Sequence, residues 1–211
     1  MIDETKLDLA QESFVNNDYP TAASIYNELI QEEPHNPFLL VNSGTSDYQI
    51  QNIGFSLVKL YRAKKLMPRN KTLQNNIQII ENKTQINNPQ IFTLSIISFT
   101  ESLVLVLVLN ILFLLRSRIS QNKVWKFSIG FFFFISLVLS GLSFIEQRVN
   151  KYAFITSISA DTYSGNNTAY SKLYELLDGQ LVKVIRKEDE WSQIKYNSSL
   201  SWIENEHIEL I

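Results

Sequence analysis

The sequence predicts a multidomain membrane protein of mixed class: a helical amino-terminal part, a two-helix hairpin through a bilayer, and a small all-β carboxy-terminal part. Three observations predict it. Charge is segregated: residues 1–90 carry 10 acidic and 8 basic side chains and residues 146–211 carry 10 and 7, whereas the 55 residues between hold one acid and four bases. That poorly charged middle contains two apolar runs, and after Lys151 the texture changes to short β-rich segments separated by polar turns. The net charge of -2 and mean hydropathy of -0.05 hide all of this, because they average over it.

The amino-terminal part, 1–88, shows an internal period. Pro34 and Pro68 stand 34 residues apart in "LIQEEPHNP" and "AKKLMPRNK", each followed two positions later by asparagine, Asn36 and Asn70. Small residues at Ala10, Ala22, Gly44 and Ala63 let helices approach, Tyr26 fills the gap between them, and each proline ends its unit because a helix cannot continue through it. With Leu9, Ala10, the turn "NNDY", Ala22, Tyr26, Ile30 and Pro34, the first unit resembles the tetratricopeptide pattern. The second keeps Gly44, Tyr48, Ala63 and Pro68 but has Ser56 where alanine is usual and Leu60 where an aromatic is usual. A following helix from Lys71 presents Leu73, Ile77 and Ile80 on one stripe and closes the stack. The resemblance implies a concave, protein-binding face made by Leu7, Gln11, Phe14, Val41, Thr45 and Tyr48, with packing of Phe14 and Tyr48 between helices as the alternative.

The middle reads as two transmembrane helices, 94–115 and 127–146, joined by the basic loop 116–126. Residues 96–115 contain only Glu101 as a charge, and twenty helical residues reach about 30 Å, the thickness of a hydrocarbon core. "LVLVLVL" and "GFFFFI" are apolar on every face, which suits surroundings of lipid or a deep core. Two core helices would need a larger domain around them, and an open strand in lipid would leave its backbone unpaired. "RSRISQNKVWK" has four bases and no acid, so its side is expected to be cytoplasmic, with both polar parts on the opposite side of the membrane. "MIDETKLDLAQ" has neither the basic start nor the apolar stretch of a secretory signal. The expectation therefore needs a start upstream, an unguided tail that crosses, or the inverted topology. Glu101 is a proton-pathway candidate by position, or a carboxyl reaching headgroups. Ser136, Ser140 and Ser143 beside Gly141 form a small-residue face, a contact for the other hairpin helix or for another membrane helix.

The carboxy-terminal part, 152–211, reads as a small all-β barrel with strands at "YAFITSI", "QLVKVIRK", "WSQIKYN" and "LSWIENEHIELI". It has an opening variable loop, a Leu-x-x-Gly-type turn ending at Gly179 and a Val-x-Val strand. Trp191 opens the next strand, and Trp202 with Ile203 precedes the end. In that order the segment resembles bacterial SH3-like domains. Ser201 departs from the glycine usual before the second tryptophan. Period two puts Ile194 and Tyr196 on one face and Trp191 on the other, so with Ile194 inside, Trp191 becomes a partly exposed protein- or glycan-binding residue beside Tyr163 or Tyr170. Packing at the barrel edge is its alternative fate.

Much chemistry is excluded. There is no cysteine, hence no thiol catalysis, disulfide or thiolate metal site. The two histidines, His35 and His207, lie in different parts, the six glycines form no phosphate loop, and "KEDE" reads as a solvated turn. Both acidic polar parts argue against nucleic acid. No catalytic residue, cofactor or metal is expected. The order of parts resembles BatE-type proteins of the Bacteroides aerotolerance family. That resemblance implies a non-enzymatic, membrane-anchored scaffold whose partners are other membrane or envelope proteins, other members of that family among them, and the lipid bilayer, with a role in oxygen tolerance or envelope stress. The competing expectation is an envelope sensor or cell-wall-binding protein that takes peptidoglycan. A subunit of an ion-translocating complex using Glu101 is the third.

Overall fold

The computed structural model describes residues 3–84, 104–109, 111, 112, 115, 131, 134, 137, 138, 141 and 151–211. The chain divides into two compact units, Met1–Ile91 together with Lys151–Ile211, and Phe92–Asn150.

The first unit begins with five helices whose ends are written in local side chains. α1 (Glu4–Val15) starts at Asp3, whose carboxylate accepts the N–H groups of Thr5 and Lys6. It stops at Asn17, which takes φ 61°, a left-handed conformation asparagine tolerates. α2 (Tyr19–Glu32) is capped by Asp18 and α3 (Pro37–Gln49) by Asn36, each with a proline in its first turn, where the missing N–H is harmless. α4 (Ile53–Leu66) and α5 (Lys71–Thr84) follow, and Leu66, like Glu32, ends its helix two residues before a proline. Consecutive helices pack together. Ala10, Ala22, Gly44 and Ala63 lie buried, and Tyr26 fills the space between them. At Gly44 a Cβ would lie 3.0 Å from Leu60 Cγ and 3.1 Å from the Ser56 carbonyl, so the α3–α4 approach depends on its absence.

The same unit contains one seven-stranded antiparallel sheet: β1 (Lys151–Ile155), β2 (Ser159–Tyr163), β3 (Lys172–Leu177), β4 (Leu181–Lys187), β5 (Trp191–Tyr196), β6 (Ser199–Glu204) and β7 (Ile208–Leu210), in the order β3-β2-β6-β5-β4-β1-β7. A two-residue turn, Asn197 and Ser198, both at positive φ, closes the β5–β6 hairpin, which matches the right-handed twist of its strands. Ala153, Ile155, Val182, Val184, Ile194 and Ile203 form the sheet's own core. Phe154 and Leu181 instead join Leu40, Leu57, Leu60, Leu73 and Ile77 of the helices. β1 is therefore buried at three consecutive residues, Ala153 to Ile155, because both of its faces are covered.

Helices and sheet are locked by more than apolar contact. The α4 cap residue, Asn52, makes no side-chain cap bond. Asp178, in the β3–β4 turn, accepts the Ile53 N–H at Oδ2 and the Gly54 N–H at Oδ1, both at 2.9 Å. A Cβ on Gly54 would come within 2.0 Å of the Ile155 carbonyl oxygen, so the docking needs glycine there. Further along α4, Arg62 Nη2 donates to Glu209 and to the Leu210 carbonyl, Lys65 Nζ donates to the backbone oxygen of Ile211, and the Tyr61 and Phe154 rings meet at 5.2 Å.

This architecture corrects the expected fold class. In place of an all-α tetratricopeptide-like array and a separate SH3-like barrel in a multidomain membrane protein, helices and antiparallel sheet are joined in one unit through a cluster of buried residues that both supply. The membrane hairpin over 94–115 and 127–146 is corrected too. Among the described residues no helix is long and apolar enough to cross a membrane. α1 to α5 have 12 to 14 residues, roughly 18–21 Å at 1.5 Å per residue. A span needs about 30 Å. The multi-pass inner-membrane location and the extracytoplasmic placement of both polar parts fall with the hairpin. In the second unit the described residues are helical, and Val104, Leu107, Leu115, Phe131 and Phe134 are exposed. Glu101, the basic loop 116–126, Ser136, Ser140 and Ser143 lie outside the described residues.

Candidate functional site: an aromatic, acid-rimmed cleft

Alternation along β5 decides which side chains are available for binding. Ser192 and Ile194 point into the core, so Trp191 and Gln193 point outward. Register then gathers the outward residues: Trp191 lies opposite Glu204, Gln193 opposite Trp202, and Trp202 opposite Tyr163 of β2. The Tyr163 and Trp191 rings meet edge to face, centroids 5.6 Å apart and planes at 81°, the arrangement that aromatic quadrupoles favour. Both rings stay partly exposed.

Beside Trp191 opens a cleft of ≈ 470 Å³ lined by Asn167, Thr168, Glu190, Trp191, Glu204, Asn205 and Glu206. Asn205 holds its walls together. Its Oδ1 accepts the Ser192 hydroxyl at 2.5 Å, its Nδ2 donates to the carbonyls of Glu188 and Asp189, and its own N–H donates to the Glu190 carbonyl at 2.8 Å. The "KEDE" turn is thus tied to the 3-10 turn Asn205–His207. The β2–β3 loop is fastened to the same turn by Asn166 Nδ2, which donates to Glu188 Oε2 at 2.9 Å.

The rim is acidic. Among the described residues no lysine or arginine forms an ion pair with Glu190, Glu204 or Glu206. Only His207 approaches, its Nε2 3.7 Å from Glu206 and 3.9 Å from Glu204. Glu204, Glu206 and His207 could each give one ligand atom to a cation, these atoms lying within 4.8 Å of one another. All three come from four consecutive residues at the surface.

The expected helical binding residues have other neighbours. Leu7 and Phe14 pack against the core of Ala10, Ala22, Tyr26, Leu29 and Leu39, and Phe14 also meets Tyr19 edge on at 5.3 Å. Val41 and Tyr48 pack against the core that includes Phe154, while the Thr45 hydroxyl donates to the Val41 carbonyl at 2.8 Å. Gln11 is exposed. Trp191 stands apart from them on β5, whereas α4 packs against β1 and β7.

A polar cluster among the helices carried no sequence signal. Lys59 Nζ donates to Asn27 Oδ1 at 2.5 Å, Ser43 Oγ at 2.8 Å and Asp47 Oδ2 at 2.5 Å, joining α2, α3 and α4. Burial pushes the Asp47 carboxyl up against the pull of Lys59. The three ammonium hydrogens of Lys59 all have acceptors, so the residue acts as a clamp, with no proton or lone pair left to offer a ligand. Glu204, Asn205 and Glu206 escaped the sequence reading as well, since only folding brings the "IENEH" segment against the "KEDE" turn.

No protein-family model and no curated protein matches the chain. Among solved structures it is similar to NlpC2 from Trichomonas vaginalis at 15% identity and a TM-score of 0.27, over 29% of this chain and 25% of that one. The match thus spans a quarter of that protein's length, and a likeness so slight bears on neither fold nor function.

Proposed function

We propose that this protein is a non-enzymatic scaffold or adaptor that recognises a protein partner at the cleft beside Trp191. The observation that carries the reading is the Tyr163–Trp191 pair, two large rings left partly exposed over a cleft whose walls are fixed by hydrogen bonds. Aromatic side chains of this kind anchor binding surfaces, because they bring large contact area at little cost in conformational freedom. The chain's side chains support the non-enzymatic part: cysteine is missing, His35 and His207 belong to different elements, and the three donors of Lys59 are used up in its clamp.

The test is co-purification of a defined partner with the tagged full chain, beside Trp191→Ala and, as a control, Gln11→Ala. Loss of the partner from the first variant only, with both variants unfolding near the temperature of the parent, is the expected result. Equal retention by Trp191→Ala overturns the reading. Sedimentation of the full chain with purified cell walls, abolished by the same substitution, would replace the protein partner with a glycan, since a tryptophan ring beside Asn167 and Thr168 also suits a sugar.

A further inference from the structure

Resting on that reading, we infer that the partner enters the cleft with an arginine or lysine side chain carried on an extended segment. The outward face of β5 and β6 offers partly exposed aromatic surface, and charge decides what fits there. Elsewhere on this sheet, three carboxylates are neutralised: Asp161 pairs with Lys172 at 2.6 Å, Glu188 with Arg186 at 3.1 Å and Glu209 with Arg62 at 2.5 Å. Around the cleft, Glu190, Glu204 and Glu206 line one opening with no lysine or arginine paired to them among the described residues, only His207 coming within 3.7 Å of Glu206 and 3.9 Å of Glu204. Like charges gathered at one rim repel one another, and a cation between them relieves that repulsion.

Trp191 adds the second requirement. Its indole lies in the wall that the carboxylates rim, and the face of an indole attracts a cation within about 6 Å. A guanidinium meets both demands at once, since it stacks flat on the ring while its edge donates two hydrogen bonds to one carboxylate. Lysine meets them as a point charge, with less directional preference. A cleft of ≈ 470 Å³ takes such a side chain with part of the segment bearing it. Asn205 makes the site ready before binding, because its three side-chain hydrogen bonds hold Glu190 on one turn relative to Glu204 and Glu206 on the next. It acts as a positioning residue and contributes no charge of its own.

The experiment selects peptides from a random dodecapeptide library on the immobilised full chain and measures the best binders by titration calorimetry. Enriched sequences are expected to share an arginine or lysine at one position. Replacing it by glutamine, or making Glu190→Gln or Glu204→Gln in the protein, should weaken binding about tenfold, the loss of one charge-assisted contact. Trp191→Ala should abolish it. Should that variant fold poorly, Trp191→Phe, which keeps an aromatic face, is expected to bind measurably but more weakly. Neutral or acidic sequences whose binding still depends on Trp191 would overturn the cationic ligand and leave the binding function standing. A library yielding nothing dependent on Trp191 overturns both. Zn²⁺ alone binding the full chain, lost in Glu206→Gln, with no basic peptide bound, would make these carboxylates a metal site and overturn the inference.

Discussion

Ser56 shows how much one side chain can reveal. It lies fully buried on α4, and its hydroxyl oxygen has no hydrogen-bond partner among the described residues. Such a group loses its water on folding and gains nothing in return. Ser56→Ala should therefore raise the free energy of unfolding by about 1 kcal/mol, read as a higher midpoint in guanidinium with an unchanged slope. The sequence already singled out this position as a serine where alanine is usual. The two-residue period put Ile194 and Trp191 on opposite faces of one strand, and Ile194 is buried while Trp191 is partly exposed. Residue-scale features of this kind are legible because they follow from local geometry. The Lys59 clamp was not, since its four members come from three helices and none has an unusual neighbour in sequence.

At the scale of elements, the start of α4 is the instructive case. Asn52 precedes the helix but makes no side-chain cap bond, and the orphan N–H groups are taken by Asp178, more than a hundred residues away, from a stretch that reads only as the turn "LLDGQ". Burial pushes the Asp178 carboxyl above its ordinary value, and the hydrogen bonds from Gly54, Ile53 and Gly179 offset this only in part. The folded state therefore holds this proton more tightly than the unfolded chain does. The contribution of the group is fully present below the ordinary carboxylate value and is lost as pH rises through the raised folded one. The stability advantage of the parent over Asp178→Asn, measured by urea unfolding from about pH 4 to about pH 7, should shrink as pH rises. An advantage that grows across this range would show that the hydrogen bonds outweigh the burial. Replacing one of the two acceptor oxygens should also cost about 1 kcal/mol, as loss of a helix cap does.

On the scale of the whole molecule, the five helices and seven strands of the first unit share buried residues, with Phe154 and Leu181 of the sheet inside the helical core. Five helices without that cover would expose the residues of α4 that now pack against Phe154 and Leu181. Phe154→Ala should lower stability by about 3–5 kcal/mol, the loss for emptying a buried phenylalanine site. Amide exchange of α4 and of β4 should accelerate together. Exchange confined to the strands would mean that the helices stand alone.

What the sequence determined by itself was local: helix ends set by Asp3, Asp18, Asn36 and the prolines, strand segments that became β1, β4, β5, β6 and β7, and Trp191 on the face opposite Ile194, whereas β2 and β3 fall where it offered a loop and a turn. Each follows from interactions within a few residues of chain. Tertiary structure decided the rest. It placed Asp178 on α4, drew the sheet into the helical core where two separate modules were expected, and brought Glu190 together with Glu204 and Glu206 around one ring. The expected bilayer-spanning hairpin is corrected only by the finding that among the described residues no helix is long and apolar enough to cross a membrane. The reason is physical: an apolar run or a turn fixes how much surface must be buried and where the chain bends, but not which distant surface does the burying, and that choice is made by packing among residues far apart in the chain.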